Sequence, residues 1–316
     1  MFHNIKLGAL VAGVMALSAP VAKAETFINI LTGGTSGVYY PLGVALSEIY
    51  GQNMADTRVQ VQSTKASVEN LNLLQQGRGE LAFALGDSVK DAWEGNADAG
   101  FKAPLSKLRA IAAIYPNFIQ IAALKDANAT TITDLKGKSI SVGAAKSGTE
   151  LNARKIFGAA GMSYDDLGKV EYLPFSESVE LMKNRQLDAT FQSSGLGNAA
   201  LKDLSTTQDV SFVAIPAEVA DKLGAPYKPG IIPAGTYPGQ DADVPTVAIT
   251  NILVTRADVS DEEAYQMTKL LFENLDTLKA AHAAAGGISL EAAVQGLPIP
   301  LHPGAEKYYR EKGLIK

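Results

Sequence analysis

Residues 32–40 read TGGTSGVYY, and this stretch, called turn 1 below, joins a strand-like run to a segment with helical spacing. Its three glycines leave the backbone open to close approach, and the first amides of the following helix have no intrahelical partners. Those amides also carry the positive end of the helix dipole. The stretch therefore predicts an anion site at a helix N-terminus, with an ordinary glycine-rich connection as the alternative.

A second stretch has the same arrangement. Residues 143–149 read GAAKSGT and form turn 2, in which small residues and a Ser-Gly pair lead from a strand into a helix. Ser147 and Glu150 have the spacing of a capping box, and Pro41 falls in the first turn of the earlier helix, where its missing amide costs little. Apolar residues recur at helical intervals after both turns. The sequence thus predicts two similar strand–turn–helix units.

The similarity continues beyond the turns. Each turn is followed by a helix, a strand, a helix and a further strand, and the further strands begin at Leu81 and Leu187. Strands that alternate with helices predict parallel sheets, whose ligands lie at the carboxyl ends of the strands. We therefore expect two α/β lobes on one βαβαβ plan with a cleft between them, although βαβ units resemble one another and the match could be a coincidence.

Two apolar runs are the candidate crossings between the lobes. The run at 108–124 is interrupted by Pro116-Asn117, which predicts a strand, a break and a second strand, and the run at 244–256 predicts the return. One helix is expected over 260–281, opened by Ser260 with Glu263 in capping-box spacing. Two crossings form a hinge, and closure around a ligand is its natural motion. The predicted lobe 1 comprises residues 25–115 and 251–316, and the predicted lobe 2 comprises residues 116–250.

The N-terminus has the pattern of a secretory signal peptide. Lys6 precedes a short apolar run, and Ala22 and Ala24 supply small residues in cleavage spacing. We expect residues 1–24 to be removed, which leaves a periplasmic chain; a buried N-terminal helix is the alternative. The chain contains no cysteine, so a lipid anchor and disulfides are not expected.

Composition narrows the function classes. The formal net charge of −5 at pH 7 gives no electrostatic case for a nucleic-acid partner. His282 and His302 stand apart in the sequence, and neither a zinc motif nor a nucleophile elbow is present. We therefore expect a monomeric binding protein that has no cofactor and is not an enzyme. A secreted hydrolase or transferase on a bilobed scaffold and a chemosensory receptor are the alternatives.

Four segments carry a family resemblance, at residues 32–43, 63–84, 134–154 and 233–254. They resemble the TAXI class of solute receptors, which serve TRAP transporters. The resemblance implies an α/β, two-lobed periplasmic binding protein fold of type II. It also implies capture of a small carboxylate, such as glutamate, glutamine, 2-oxoglutarate or a related dicarboxylate, and its delivery to a TRAP permease. Lys65 departs from the family pattern, in which a small residue is expected.

Candidate ligand contacts come from both turns and from strand ends, and several have two interpretations. Tyr39 closes over the ligand or packs in the core, and Lys65 pairs with a carboxylate or is solvated. Asp87 holds an amino group or caps a turn, and Ser147 binds the ligand or caps its helix. The predicted ligand-binding residues are Thr35, Ser36, Gly37, Val38, Tyr39, Thr64, Lys65, Ser67, Asp87, Ser147, Gly148, Thr149, Ser193 and Tyr237.

Overall fold

The computed structural model describes residues 25–316, so the predicted signal peptide at residues 1–24 lies outside the described residues. Strands alternate with helices over most of this range. The strands are β1 (Thr26–Leu31), β2 (Thr57–Gln62), β3 (Leu81–Leu85), β4 (Leu108–Leu124), β5 (Ser139–Ser141), β6 (Lys169–Glu171), β7 (Ala189–Ser194), β8 (Val210–Phe212), β9 (Lys228–Ile232) and β10 (Val244–Arg256). The α-helices are α1 (Tyr39–Asn53), α2 (Ser67–Gln75), α3 (Gly86–Glu94), α4 (Gly148–Ala159), α5 (Phe175–Lys183), α6 (Ala199–Thr207), α7 (Ala217–Leu223), α8 (Asp261–Glu273), α9 (Leu275–Ala281) and α10 (Pro303–Glu311).

The strands form one sheet in the order β2-β1-β3-β10-β4-β7-β5-β6, with β8 beside β4 and β9 beside β10. The ladders at its two ends, β2-β1-β3 and β7-β5-β6, are parallel. In contrast, β10 is antiparallel to β3 and β4, and β4 is antiparallel to β7. The expectation of purely parallel sheets is therefore wrong at the centre, because the two crossing strands run through both lobes in opposite directions.

The first crossing is a single strand. β4 runs for 17 residues and includes Pro116 and Asn117, so the predicted break is absent. Pro116 lies opposite Thr250 of β10, where the pairing register shifts before Ile252. A bulge of this kind interrupts the ladder locally, so the missing amide of a proline leaves no regular hydrogen bond unmade. The extra residue lies on β4, where three residues from Ala113 to Pro116 span two residues of β10, and this bulge explains why the proline does not end the strand.

Separate apolar cores lie on the two sides of the central strands. One contains Ile30, Leu42 and Tyr309, and another contains Phe157 and Phe191; all five side chains are buried. Fully burying a side chain of this size contributes roughly 1.5–3 kcal/mol relative to leaving it exposed. The observed architecture is the predicted α/β, two-lobed fold of the periplasmic binding protein type.

The chain after the second crossing returns to the first lobe. Ser260 and Glu263 form the predicted capping box at the start of α8. The single helix expected over 260–281 is divided, however, because Asn274 has a non-helical backbone and its side-chain amide donates to Leu270 O at 2.8 Å. Farther on, the Tyr309 hydroxyl of α10 donates to Ile111 O at 2.8 Å, which ties the C-terminal helix to β4. Over residues 25–316, none of the helices has the length and apolar character needed to cross a membrane.

Candidate functional site

A cavity of about 270 Å³ lies where turn 1 and turn 2 face each other. Among the described residues that line it, Lys65 carries the only formal charge, and hydroxyl groups are the commonest polar groups. A site with a cation, many hydrogen-bond donors and no carboxylate is suited to an anion. The lining consists of Gly33, Gly34, Thr35, Ser36, Gly37, Val38, Tyr39, Ser63, Thr64, Lys65, Ala66, Tyr115, Asn117, Ala144, Ser147, Thr149, Pro174, Phe175, Ser176, Ser193, Ser194 and Gly195.

Turn 1 presents uncapped backbone amides to this cavity. The Gly37 amide donates to Gly34 O at 3.1 Å and closes the turn, and no side chain caps α1. The amides of Ser36, Val38 and Tyr39 donate to no acceptor among the described residues. Free amides at a helix N-terminus are donors for an anion, and the helix dipole adds to their attraction. The predicted role of these residues as ligand contacts stays a prediction that this geometry supports.

Turn 2 contains a cap that turn 1 lacks. Ser147 Oγ accepts a hydrogen bond from the Glu150 amide at 3.1 Å, which confirms the predicted cap. The Glu150 carboxylate pairs instead with Arg154 at 2.8 Å, so the reciprocal half of a capping box is absent at this helix. Ser147 and Thr149 line the cavity, so turn 2 contributes hydroxyl groups even though its first serine also caps α4.

The segment after β2 forms the third wall. Ser63 Oγ donates to Gly33 O at 2.9 Å, and the Ala66 amide donates to Thr64 Oγ1 at 2.9 Å. Ala66 has φ +67° and ψ −147°, a conformation that essentially only glycine adopts without strain. Strain of this kind persists where the surrounding structure imposes it, and it is concentrated at binding sites. The exposed Lys65 side chain belongs to the same segment.

Two tyrosines line the cavity, and they differ in whether their hydroxyl groups have a hydrogen-bond partner. The Tyr39 ring stacks on Phe83 with centroids 5.1 Å apart, and its hydroxyl donates to Asn251 Oδ1 at 2.6 Å, so Tyr39 packs in the core and lines the cavity at once. The Tyr115 hydroxyl is buried without a hydrogen-bond partner among the described residues. Burial raises the pKa of Tyr115 well above its ordinary value, so the phenol keeps its proton. Tyr115 is therefore an unused donor in the cavity wall.

Four of the predicted contacts lie outside this lining. Ser67 Oγ accepts from the Leu85 amide at 3.1 Å, and Gly148 packs tightly against Ser67 and Leu85. The Tyr237 hydroxyl donates to Gln120 and accepts from the Gly197 amide, in a buried position. Asp87, the fourth, belongs to the lobe interface. The other ten predicted residues line the cavity: Thr35, Ser36, Gly37, Val38, Tyr39, Thr64, Lys65, Ser147, Thr149 and Ser193.

Asp87 joins the lobes through an ion-pair network. Lys155 Nζ of α4 lies 3.1 Å from Asp87 Oδ2 and 2.7 Å from Asp91 Oδ2, both on α3. Burial lowers the pKa of Lys155, but the two carboxylates outweigh burial and raise it overall, so the ammonium stays charged. The Tyr227 hydroxyl donates to the same Asp87 oxygen at 2.5 Å. Asp87 therefore holds a group of the protein itself rather than standing in the cavity wall.

Several lining residues were not among the predicted contacts. Tyr115 and Asn117 belong to β4, which the sequence presents only as a crossing, and Phe175 begins α5. The interruption of an apolar run by Tyr115-Pro116-Asn117 was the available signal. Burying the polar side chains of Tyr115 and Asn117 in an apolar core would cost free energy, so their presence in this run indicates that they face something other than the core.

The fold and the cleft define a class of structure, the two-lobed α/β fold of the periplasmic binding protein type. The chain belongs to the NMT1-like family, whose model matches residues 30–313. Its fold is similar to PhnD1 from Prochlorococcus marinus (MIT 9301) in complex with methylphosphonate, at 12% identity, with 92% of this chain and 100% of that chain covered and a TM-score of 0.58. A binding protein component of an ABC phosphonate transporter from Pseudomonas aeruginosa matches at 12% identity, 84% and 80% coverage and a TM-score of 0.54.

A third similar structure is the alkanesulfonate-binding protein SsuA from Xanthomonas axonopodis pv. citri bound to MOPS, at 15% identity, 93% and 96% coverage and a TM-score of 0.51. These findings correct the resemblance to the TAXI class of TRAP receptors. The matching family is the NMT1-like family, and the neighbours named here bind phosphonates or sulfonates, one of them within an ABC transporter. The assignments to TAXI, to a TRAP permease and to dicarboxylates are therefore wrong by these comparisons.

Proposed function

We propose that the protein is a periplasmic solute receptor that captures a small organic oxyanion between its lobes. The observation that carries this proposal is the composition of the cavity wall. Lys65 is the one charged side chain among the described lining residues, and the amides of Ser36, Val38 and Tyr39 have no partner among the described residues. Carboxylates, sulfonates and phosphonates share the oxygen atoms that such donors bind. Each charge-assisted hydrogen bond contributes roughly 1.5–3 kcal/mol.

Binding of this kind requires no reaction chemistry. None of the described lining residues is a histidine, and the hydroxyl of Ser193 donates to an asparagine oxygen rather than to a base. These observations favour a receptor over the hydrolase alternative. Delivery then requires a membrane permease, and the name of the Pseudomonas neighbour supports one of the ABC class. Uptake of the solute that is independent of ATP and driven by an ion gradient would contradict that part of the proposal.

A thermal-shift panel tests the anion directly. Residues 25–316 would be titrated with small carboxylates, sulfonates and phosphonates at constant ionic strength, with neutral amides of equal size as controls. A ligand at a hundred times its dissociation constant adds about 2.7 kcal/mol to the free energy of unfolding. Stabilisation by one anion class and not by the neutral controls is expected. A folded protein that responds to none of the anions would sink the proposal.

Substitution of two lysines, each of which bridges two carboxylates, tests whether the lobes close around the ligand. Lys155 bridges Asp87 and Asp91 across the lobes, whereas Lys183 bridges Glu180 and Asp203 within one lobe at 3.1 and 2.6 Å. Lys155→Met leaves the buried Asp87 carboxylate without its ion-pair partner in the closed form, so we expect affinity for the panel's best anion to fall about tenfold or more. Lys183→Met should leave affinity unchanged. Equal effects of the two substitutions would argue against closure through this contact.

A further inference from the structure

Asn117 lies in the cavity wall, and a chain of hydrogen bonds from the lobe interface reaches its side chain. Asn117 Nδ2 donates to Ser193 Oγ at 2.7 Å, and the Ser193 hydroxyl donates to Asn152 Oδ1 at 2.7 Å. Asn152 Nδ2 in turn donates to Asp87 Oδ2 at 2.9 Å. Asn152 and Asp87 stand behind the wall, and Asn117 and Ser193 form part of it.

The carboxylate at the far end fixes the direction of every hydrogen bond in this chain. Asp87 pairs with Lys155 and can only accept, so Asn152 turns its NH₂ group toward Asp87 and its oxygen toward Ser193. The single hydrogen of the Ser193 hydroxyl goes to that oxygen. Ser193 therefore accepts from the NH₂ group of Asn117. A rotated Asn117 amide would place two oxygens together with no hydrogen between them, which costs about 1–3 kcal/mol when buried.

This orientation leaves one acceptor and one donor for the cavity. Asn117 Oδ1 accepts no hydrogen bond from the described residues, and the Tyr115 hydroxyl has no partner among them either. Asn117 is 1% exposed and Tyr115 is 0% exposed, so neither side chain lies on the outer surface of the protein. One residue separates them on β4, and both line the cavity. The cavity wall thus contains one acceptor and one donor that have no partner among the described residues.

We propose that the solute is a small organic anion that carries a hydroxyl group beside its anionic head, an inference that rests on the proposed function. A hydroxyl accepts from Tyr115 and donates to Asn117 with one oxygen atom. An oxo group only accepts, an ammonium group only donates, and a methylene does neither. A site built to hydrogen-bond a hydroxyl discriminates strongly against analogues without it, because its own buried polar atoms are then left unpaired.

Calorimetry with ligands of one skeleton tests the hydroxyl. Lactate, pyruvate, alanine and propionate share three carbons and a carboxylate and differ at the second carbon. Isethionate against ethanesulfonate and hydroxymethylphosphonate against methylphosphonate extend the comparison to the other head groups. Within the head group that binds, we expect the hydroxylated member to bind about tenfold tighter or more than each of its counterparts.

Three variants separate this role from a merely structural one. Asn117→Leu removes the acceptor and should reduce the hydroxyl preference to about threefold or less. Ser193→Ala frees the Asn117 amide to rotate and should also lower the preference. Asn184→Leu, at an exposed position, is the control and should keep the wild-type preference. If Asn117→Leu and Ser193→Ala fail to fold, the inference is tested by the preference of the wild-type protein for the hydroxylated ligands.

The outcomes distinguish the two proposals. Anion binding with a hydroxyl preference within twofold overturns the hydroxyl inference and leaves the oxyanion receptor standing. Tighter binding of pyruvate or alanine than of lactate likewise overturns the hydroxyl inference and leaves the oxyanion receptor standing. A folded wild type that binds no member of any series overturns both proposals. If Asn117→Leu keeps the wild-type preference for the hydroxylated ligand, other groups recognise the hydroxyl, and this result also overturns the inference.

Discussion

Turn 1 and turn 2 share one sequence plan, yet the structure gives their glycines and amides different neighbours. In turn 1, the amides of Ser36 and Val38 have no partner among the described residues, and Gly37 has ordinary contacts. In turn 2, Ser147 caps its own helix and Gly148 presses against Ser67 of the opposite lobe. The comparison indicates that turn 1 supplies donors to the cavity, whereas turn 2 also determines how closely the lobes approach.

The largest difference is expected at the two matched glycines. A Cβ at Gly148 would lie 2.6 Å from Ser67 Oγ and 2.8 Å from Leu85 Cδ1, whereas a Cβ at Gly37 would have its nearest neighbour, Gly34 O, at 3.5 Å. Overpacking costs about 1–3 kcal/mol, so Gly148→Ala should weaken binding roughly tenfold to a hundredfold by calorimetry. Gly37→Ala should change affinity by less than about threefold.

A third alanine substitution controls for helix propensity in this comparison. Gly158 lies on α4, like Gly148, and a Cβ there would meet no atom within 4 Å. Gly158→Ala should leave affinity unchanged while it raises thermal stability slightly, since alanine favours a helix. Equal affinities for Gly148→Ala and Gly158→Ala would show that turn 2 does not limit the approach of the lobes.

Two exposed lysines near the turns should differ by a smaller factor. Lys65 lines the cavity, whereas Lys146 lies within turn 2 but outside the lining. Lys65→Met should weaken anion binding about fivefold and flatten its dependence on salt, because an exposed cation is partly screened. Lys146→Met should alter neither quantity. The comparison is made by titration at low and high ionic strength, and a loss of affinity in both variants would indicate only a long-range charge effect.

The smallest difference concerns the two serines. Ser147→Ala removes a helix cap and should reduce the free energy of unfolding by about 1 kcal/mol in the absence of ligand. Ser36→Ala removes no cap and should leave the thermal midpoint unchanged, although each substitution weakens anion binding a few-fold. Thermal denaturation without ligand separates the two. A lower midpoint for Ser36→Ala would mean that turn 1 depends on its hydroxyl for folding.

Local patterns in the sequence predicted much of the fold. Helical spacing and caps predicted α4 and the start of α8, and apolar runs predicted both crossing strands. The continuity of β4 through Pro116 could not be predicted in this way, because the register shift that accommodates it arises from pairing with β10, more than a hundred residues away in the chain. The division at Asn274 likewise depends on a side-chain hydrogen bond that spacing does not reveal.

The candidate site was predictable where it consists of turns and less so where it consists of strands. Ser36, Thr64 and Ser147 lie in the connections that follow β1, β2 and β5, and the carboxyl ends of such strands meet at one edge of a sheet whatever the details of packing. Tyr115 and Asn117 required the register of β4 to be known. Asp87 lies just after β3, as expected. Its contacts with Lys155 and Asn152 of α4 depend on how the two lobes pack together, and local sequence patterns do not show that packing.

The long strands β4 and β10 have a consequence for how the molecule unfolds. Each contributes residues to the sheet on both sides of the cleft, and they pair with each other along most of their length. Neither half of the protein can lose its sheet without removing hydrogen-bond partners from the other half. The lobes should therefore melt together, as one calorimetric transition. The first lobe in particular cannot be isolated as a continuous fragment without the second, because its strands β1, β2 and β3 precede the second lobe in the chain and β10 enters it afterwards.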